Sequence, residues 1–193
     1  MIGQRSVVGS LVGGVIGCVV GVLSGCLERT DPPSPGAPPA DDVLDELAQA
    51  MLTAHNAARA RVDPPARPAL APLRWDEGLA ETAQTWANGC VFAHTPNTPY
   101  GENLAVFSPQ PLHAELATTT VELWEGEVVD YDLASNRCAP GAQCGHYTQV
   151  VWRDTERVGC GISTCDDVQG FGPGILFVCS YDPPGNFVGQ RPY

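Results

Sequence analysis

Six cysteines, Cys90, Cys138, Cys144, Cys160, Cys165 and Cys179, crowd one stretch of a chain of 193 residues that holds eight in all. A chain this rich in thiols either oxidises them outside the cytosol or commits them to metal inside it. The N-terminus separates the two cases. Arg5 supplies a short positive region, and Val7 to Leu23 is an apolar run rich in Gly and Val. That is a secretory signal pattern, too short and too glycine-rich for a spanning helix. An even set of cysteines in an exported domain reads as three disulfides, with the pairing left open by the spacing alone.

The signal run ends in Leu23-Ser24-Gly25-Cys26, which resembles the bacterial lipobox, in which the cysteine is lipidated and becomes the first mature residue. Residue 27 is Leu rather than Asp, which points to the outer membrane or cell surface. The expected organisation is a lipoprotein signal peptide over 1–25, lipidated Cys26 with a Pro-rich semi-rigid spacer over 26–40, and a globular domain over 41–193. The membrane is then a partner through Cys26. The formal charge is −12, and every one of the basic residues is Arg. Such an acidic chain repels phosphate backbones, which excludes nucleic acid as a partner.

Within the domain the first half reads as helices. Asp41 or Asp42 caps one that carries Leu44, Leu47, Met51, Ala54 and Ala58 on a single face. Asp76 caps a second, with the stripe Leu79, Ala83, Trp86 and Cys90. A third is expected from Leu112 to Val128, facing inward through Leu116, Thr120, Leu123 and Glu127. A carboxylate sharing an apolar face is costly to bury alone, so Glu127 stands out. Tyr100 to Leu112 reads as a Pro-bounded loop with Phe107 unexplained. His146 to Trp152 alternates like a strand, and Arg157–Ser163 and Gly174–Tyr181 are further strand candidates. Helices followed by a strand cluster suggest an α+β domain.

Few residues offer chemistry. The histidines are His55, His94, His113 and His146, and there is no nucleophile elbow, HExxH helix or glycine-rich phosphate loop. Four short segments do carry a resemblance: HNAAR (55–59), YGENLA (100–105), GHYTQVVWRDT (145–155) and FVCSYDPPGNF (177–187). Together and in order they resemble the CAP superfamily, and among its members plant pathogenesis-related protein 1. The resemblance implies an α-β-α sandwich with the disulfides Cys90–Cys165, Cys138–Cys144 and Cys160–Cys179. It also implies a cavity tetrad, which falls on His94, Glu102, Glu127 and His146. Two imidazoles with carboxylates suit a divalent ion, Zn²⁺ first, held weakly; the carboxylates serve as ligands or orient the rings. The same four residues would also serve as a hydrogen-bonded cluster that only joins helices to sheet. His55, Asn56 and Arg59, one helical turn, suit packing rather than a site.

Three functions stay open on the sequence. One is an exported binding or effector protein, with divalent metal and a sterol or fatty acid as ligands. Another is a metal-dependent, protease-like hydrolase using the same cavity, although Thr95 stands where many relatives have Ser. The third is a structural envelope lipoprotein. No catalytic residue is assigned. The tail, PPGNFVGQRPY (183–193), resembles a peptide that plant relatives release as a defence signal, and reads equally as a closing turn.

Overall fold

The strand that organises the domain has no polar face. In the computed structural model, which describes residues 40–193, every residue of Gly174–Asp182 except the last is buried. Such a run belongs at the centre of a sheet covered on both sides. The sheet is built from β1 (Arg74–Trp75), β2 (Gly101–Phe107), β5 (Arg157–Cys165) and β6 (Gly174–Asp182), in the order β1-β5-β6-β2. A small second sheet pairs β3 (Tyr131–Asp132) with β4 (Arg137–Cys138). The helices are α1 (Ala40–Ala60), α2 (Glu77–Ala87), α3 (Ala114–Gly126) and α4 (Gly145–Val150), with a 3-10 turn at Glu127–Asp130. The expectations for the signal peptide, lipidation at Cys26 and most of the spacer lie outside the described residues. Among the described residues no helix is long and apolar enough to cross a membrane.

Side chains alternate across a strand, so β6 serves two cores. Ile175, Phe177, Cys179 and Tyr181 join the larger one, with Leu47, Met51 and Ala58 of α1 and Ala117, Val121 and Trp124 of α3. Leu176 and Val178 join the smaller one, under Ala83 and Ala87 of α2. The result is the expected α-β-α sandwich. Asp76 caps α2 by accepting from the Leu79 N–H at 3.0 Å. On β5, Gly159 and Gly161 let α2 lie on the strand: a Cβ there would stand 2.2 Å from the backbone nitrogens of Ala80 and Gln84. The six cysteines form Cys90–Cys165, Cys138–Cys144 and Cys160–Cys179.

Four expectations need correcting. His146–Trp152 is not a strand: Gly145–Val150 is helical, and the buried side is Tyr147, Gln149 and Val150. Its alternation is an accident of a segment too short to show a helical period. The Tyr100–Leu112 loop contains β2, which pairs with β6 from Gly101↔Tyr181 to Phe107↔Ile175, and the Phe107 ring meets Phe177 edge-on at 5.6 Å. Leu44 and Leu123 are outside the core, at 46% and 55% exposure. On α3 the inward face is Leu116, Ala117, Thr120, Val121 and Trp124. The expected third helix also ends early, at Gly126, where the 3-10 turn begins.

The HNAAR turn binds the layers. Arg59 donates to the carbonyls of Ala71, Val150 and Trp152 at 2.8, 3.1 and 2.7 Å. Asn56 pairs with both the N–H and the C=O of Leu73. His55 is fully buried between the Met51 carbonyl at 2.7 Å and the Tyr181 hydroxyl at 2.8 Å.

Candidate functional site

The four candidate residues arrive from four different places. His94 lies in the loop between α2 and β2, and Glu102 is the second residue of β2. Glu127 opens the 3-10 turn after α3, and His146 is in the first turn of α4. They form two imidazole–carboxylate pairs. His94 Nδ1 meets Glu102 Oε1 at 2.9 Å, and His146 Nδ1 meets Glu127 Oε1 at 2.6 Å.

Each carboxylate is itself fixed. Glu102, with its side chain 6% exposed, accepts from the Thr95 N–H at 2.9 Å and the Thr95 hydroxyl at 2.6 Å. Glu127 Oε2 accepts from the N–H groups of His146 and Tyr147 at 2.9 and 3.1 Å, satisfying the first turn of α4. This explains the inward acid that the helical pattern exposes. It also explains why α4 forms: its free N–H groups are met by a carboxylate from another element. Trp124 stacks on the His146 ring at 6.1 Å between centroids.

The electrostatics follow from these contacts. Burial pushes both Glu102 and Glu127 up, but it is outweighed. Hydrogen bonds from His94 and Thr95 hold Glu102 below the ordinary glutamate range, and those from His146 and Tyr147 do the same for Glu127. The Glu102 hydrogen bond raises His94, against a smaller effect of burial. An ionised carboxylate accepts from Nδ1–H, so a neutral ring keeps its lone pair on Nε2. Both rings line one cavity of about 180 Å³ with Phe92, Ala93, Leu104 and Gln143.

Among the described residues no three His, Cys, Asp or Glu side chains converge as a metal-binding group. The carboxylates are committed to the Nδ1 atoms and do not line the cavity, whose polar side chains are His94, His146 and Gln143. The Thr95 hydroxyl donates to Glu102 and makes no hydrogen bond to an imidazole among the described residues. His113 lies apart, at the start of α3.

Sequence reasoning missed two features. Gln143 lines the cavity, and its only signal was its place beside Cys144. A groove of about 790 Å³ runs between α1 and α3, lined by Ala50, Thr53, Ala54, Ala57, Thr118 and Val121 among others. The small residues Ala50, Thr53, Ala54 and Ala57 along α1 were its signal.

The chain matches the CAP: Cysteine-rich secretory protein family over residues 52–181. It is a CAP protein. The tomato (Solanum lycopersicum) pathogenesis-related protein 1A1 is 47% identical over 143 residues, 72% of each chain. Bovine (Bos taurus) peptidase inhibitor 16 is 44% identical over 158 residues, 80% of this chain. The match spans 33% of that protein's length. Among solved structures, NaASP2 with Zn²⁺ has a TM-score of 0.66 at 26% identity, over 81% of this chain and 90% of that one. Schistosoma mansoni venom allergen-like protein 4 has 0.60 at 28%, over 77% and 94%. Export fits a family of secretory proteins and three disulfides.

Proposed function

We propose that this CAP protein is an exported binding protein of the effector type, tethered by lipid on Cys26, whose cavity holds a divalent ion between His94 and His146. One observation carries the reading: each imidazole has its Nδ1 held by its own carboxylate, and both rings line the same cavity. That arrangement fixes the tautomer a metal needs and raises the basicity of the ligating nitrogen. NaASP2, a structural relative, was solved with Zn²⁺, which supports zinc as the ion. Bound there, the ion would supply positive charge for an electron-rich partner. Two nitrogens make a weak site. Calorimetric titration of the chain with Zn²⁺ should show uptake that is absent from a His94→Ala/His146→Ala variant. Equal uptake by both removes the site. Affinity should fall as pH drops, because the Glu102 hydrogen bond raises the pKa of His94 and protonation of that ring removes a ligating lone pair.

The α1–α3 groove supports a second ligand class. Its Ala, Thr and Val lining suits an acyl chain, as a fatty acid has, whose head would lie in solvent, since Asp45, Glu46 and Glu122 also line the groove and Arg61 is paired with Glu125. A fluorescent fatty acid should bind the chain and be excluded by Ala54→Trp. Binding unchanged by that filling would place the lipid elsewhere, as for a sterol. The anchor is tested by Cys26→Ser, which should leave the protein soluble or unprocessed.

A further inference from the structure

Resting on the metal reading above, we infer that Gln143 is the third protein donor to the ion, through its side-chain amide oxygen. An open zinc site ordinarily takes three protein ligands and leaves the fourth position to water or cargo. His94 and His146 give two. Glu102 and Glu127 are committed to Nδ1 atoms, to Thr95 and to the first turn of α4. Of the remaining cavity residues, Phe92, Ala93 and Leu104 have no donor atom in their side chains. Gln143 alone brings an oxygen.

Its amide is also free to do so. Gln143 is exposed and makes no side-chain hydrogen bond to the described residues, so a bound ion would displace only water from its amide. Its backbone is held: Cys144 follows it, and the Cys138–Cys144 bridge closes a span of six residues. His146 comes three positions later, in the first turn of α4, which Glu127 fixes. The bridge and the capped turn therefore hold the backbone of the segment that carries Gln143 and His146, both of which line the cavity. An amide oxygen is a neutral donor that does not titrate.

Three variants of the full oxidised chain decide the matter: Gln143→Leu, Gln143→Glu and His94→Ala/His146→Ala. Zn²⁺ calorimetry should show Gln143→Leu weakened about 10–100-fold, the range for loss of a group supporting a metal. Gln143→Glu, which keeps an oxygen and adds charge, should bind at least as tightly as the original. The visible spectrum of the Co²⁺-loaded chain should change in Gln143→Leu and persist in Gln143→Glu. Thermal melts check that folding is unaltered. Unchanged affinity and spectrum in Gln143→Leu, with uptake lost in the double histidine variant, overturns the role of Gln143 and leaves the imidazole pair standing. No uptake by the original chain removes both.

Discussion

At the scale of single residues, proton positions govern both stability and the site. His55 is neutral because burial, against the Met51 hydrogen bond, lowers its pKa to about 4. The unfolded chain takes up that proton below about 6.5, the folded chain only below about 4. Stability from the neutral ring is complete above the upper value and fades as pH falls to the lower one, a span worth on the order of 3 kcal/mol. His55→Gln, which does not titrate, should flatten denaturant stability between those pH values. An equally steep slope in the variant excludes His55 as its source. Glu127 offers a second test. In Glu127→Gln the amide NH₂ faces Nδ1 and can only donate, so the His146 proton moves to Nε2. The fold should survive, because the amide oxygen still accepts from the first turn of α4. Zn²⁺ affinity should fall about 10–100-fold, and nitrogen NMR of the imidazole should report the changed tautomer. An unchanged tautomer would mean that Glu127 does not set it.

At the scale of elements, the sequence was readable where one local signal settled the structure. Asp76 as a cap, the Leu79 and Ala83 stripe, and the cores of β5 and β6 all follow from period and end chemistry. It was unreadable where the cause came from far away. The helix α4 depends on a carboxylate that arrives after α3, and β2 is a strand because β6 offers it a partner. The disulfide pairing came with the resemblance, since six cysteines in sequence carry no order of their own. The tetrad came the same way, except Glu127, which its helical face had marked. The glycines of β5 looked like ordinary strand residues or loop signals. In the structure they set how near α2 can come. Gly161→Ala would place a Cβ 2.2 Å from the Gln84 nitrogen, on backbone that cannot turn aside. The helix must shift, at a cost of about 1–3 kcal/mol. Ser163→Ala, two residues further along the same strand at a half-buried position, only removes a hydroxyl and should cost much less. Comparable urea midpoints for the two variants would show that the close approach does not constrain the fold.

At the scale of the whole molecule, the tail decides how the end of the chain relates to the site. Its resemblance to a released peptide makes cleavage after Asp182 the sharp hypothesis, and the structure weighs against it. The Asp182 carboxylate pairs with Arg157, its carbonyl accepts from the Glu156 N–H at 3.1 Å, and the Pro183 carbonyl accepts from Thr155 at 2.9 Å. Beyond the turn, Gly185 donates to Gln149, Asn186 to the Gly145 carbonyl, and Arg191 to the carbonyls of Leu133 and Ala134. The Pro192 carbonyl accepts from Arg153 N–H at 2.7 Å. The tail therefore spans α4, the β3–β4 sheet and the loop that leads into β5. A protease needs an extended, accessible backbone, and a segment hydrogen-bonded at both ends supplies one only after local opening. The native chain in apoplastic fluid should yield no fragment beginning at Pro183 while the body of the domain remains intact. Asp182→Ala together with Thr155→Val, which removes two of the clamps on the scissile region, should make the tail the first site cut. Mass spectrometry of both digests reads the result. Early release of the Pro183–Tyr193 peptide from the unaltered, folded chain would show that these contacts do not protect the bond and would restore the signalling role.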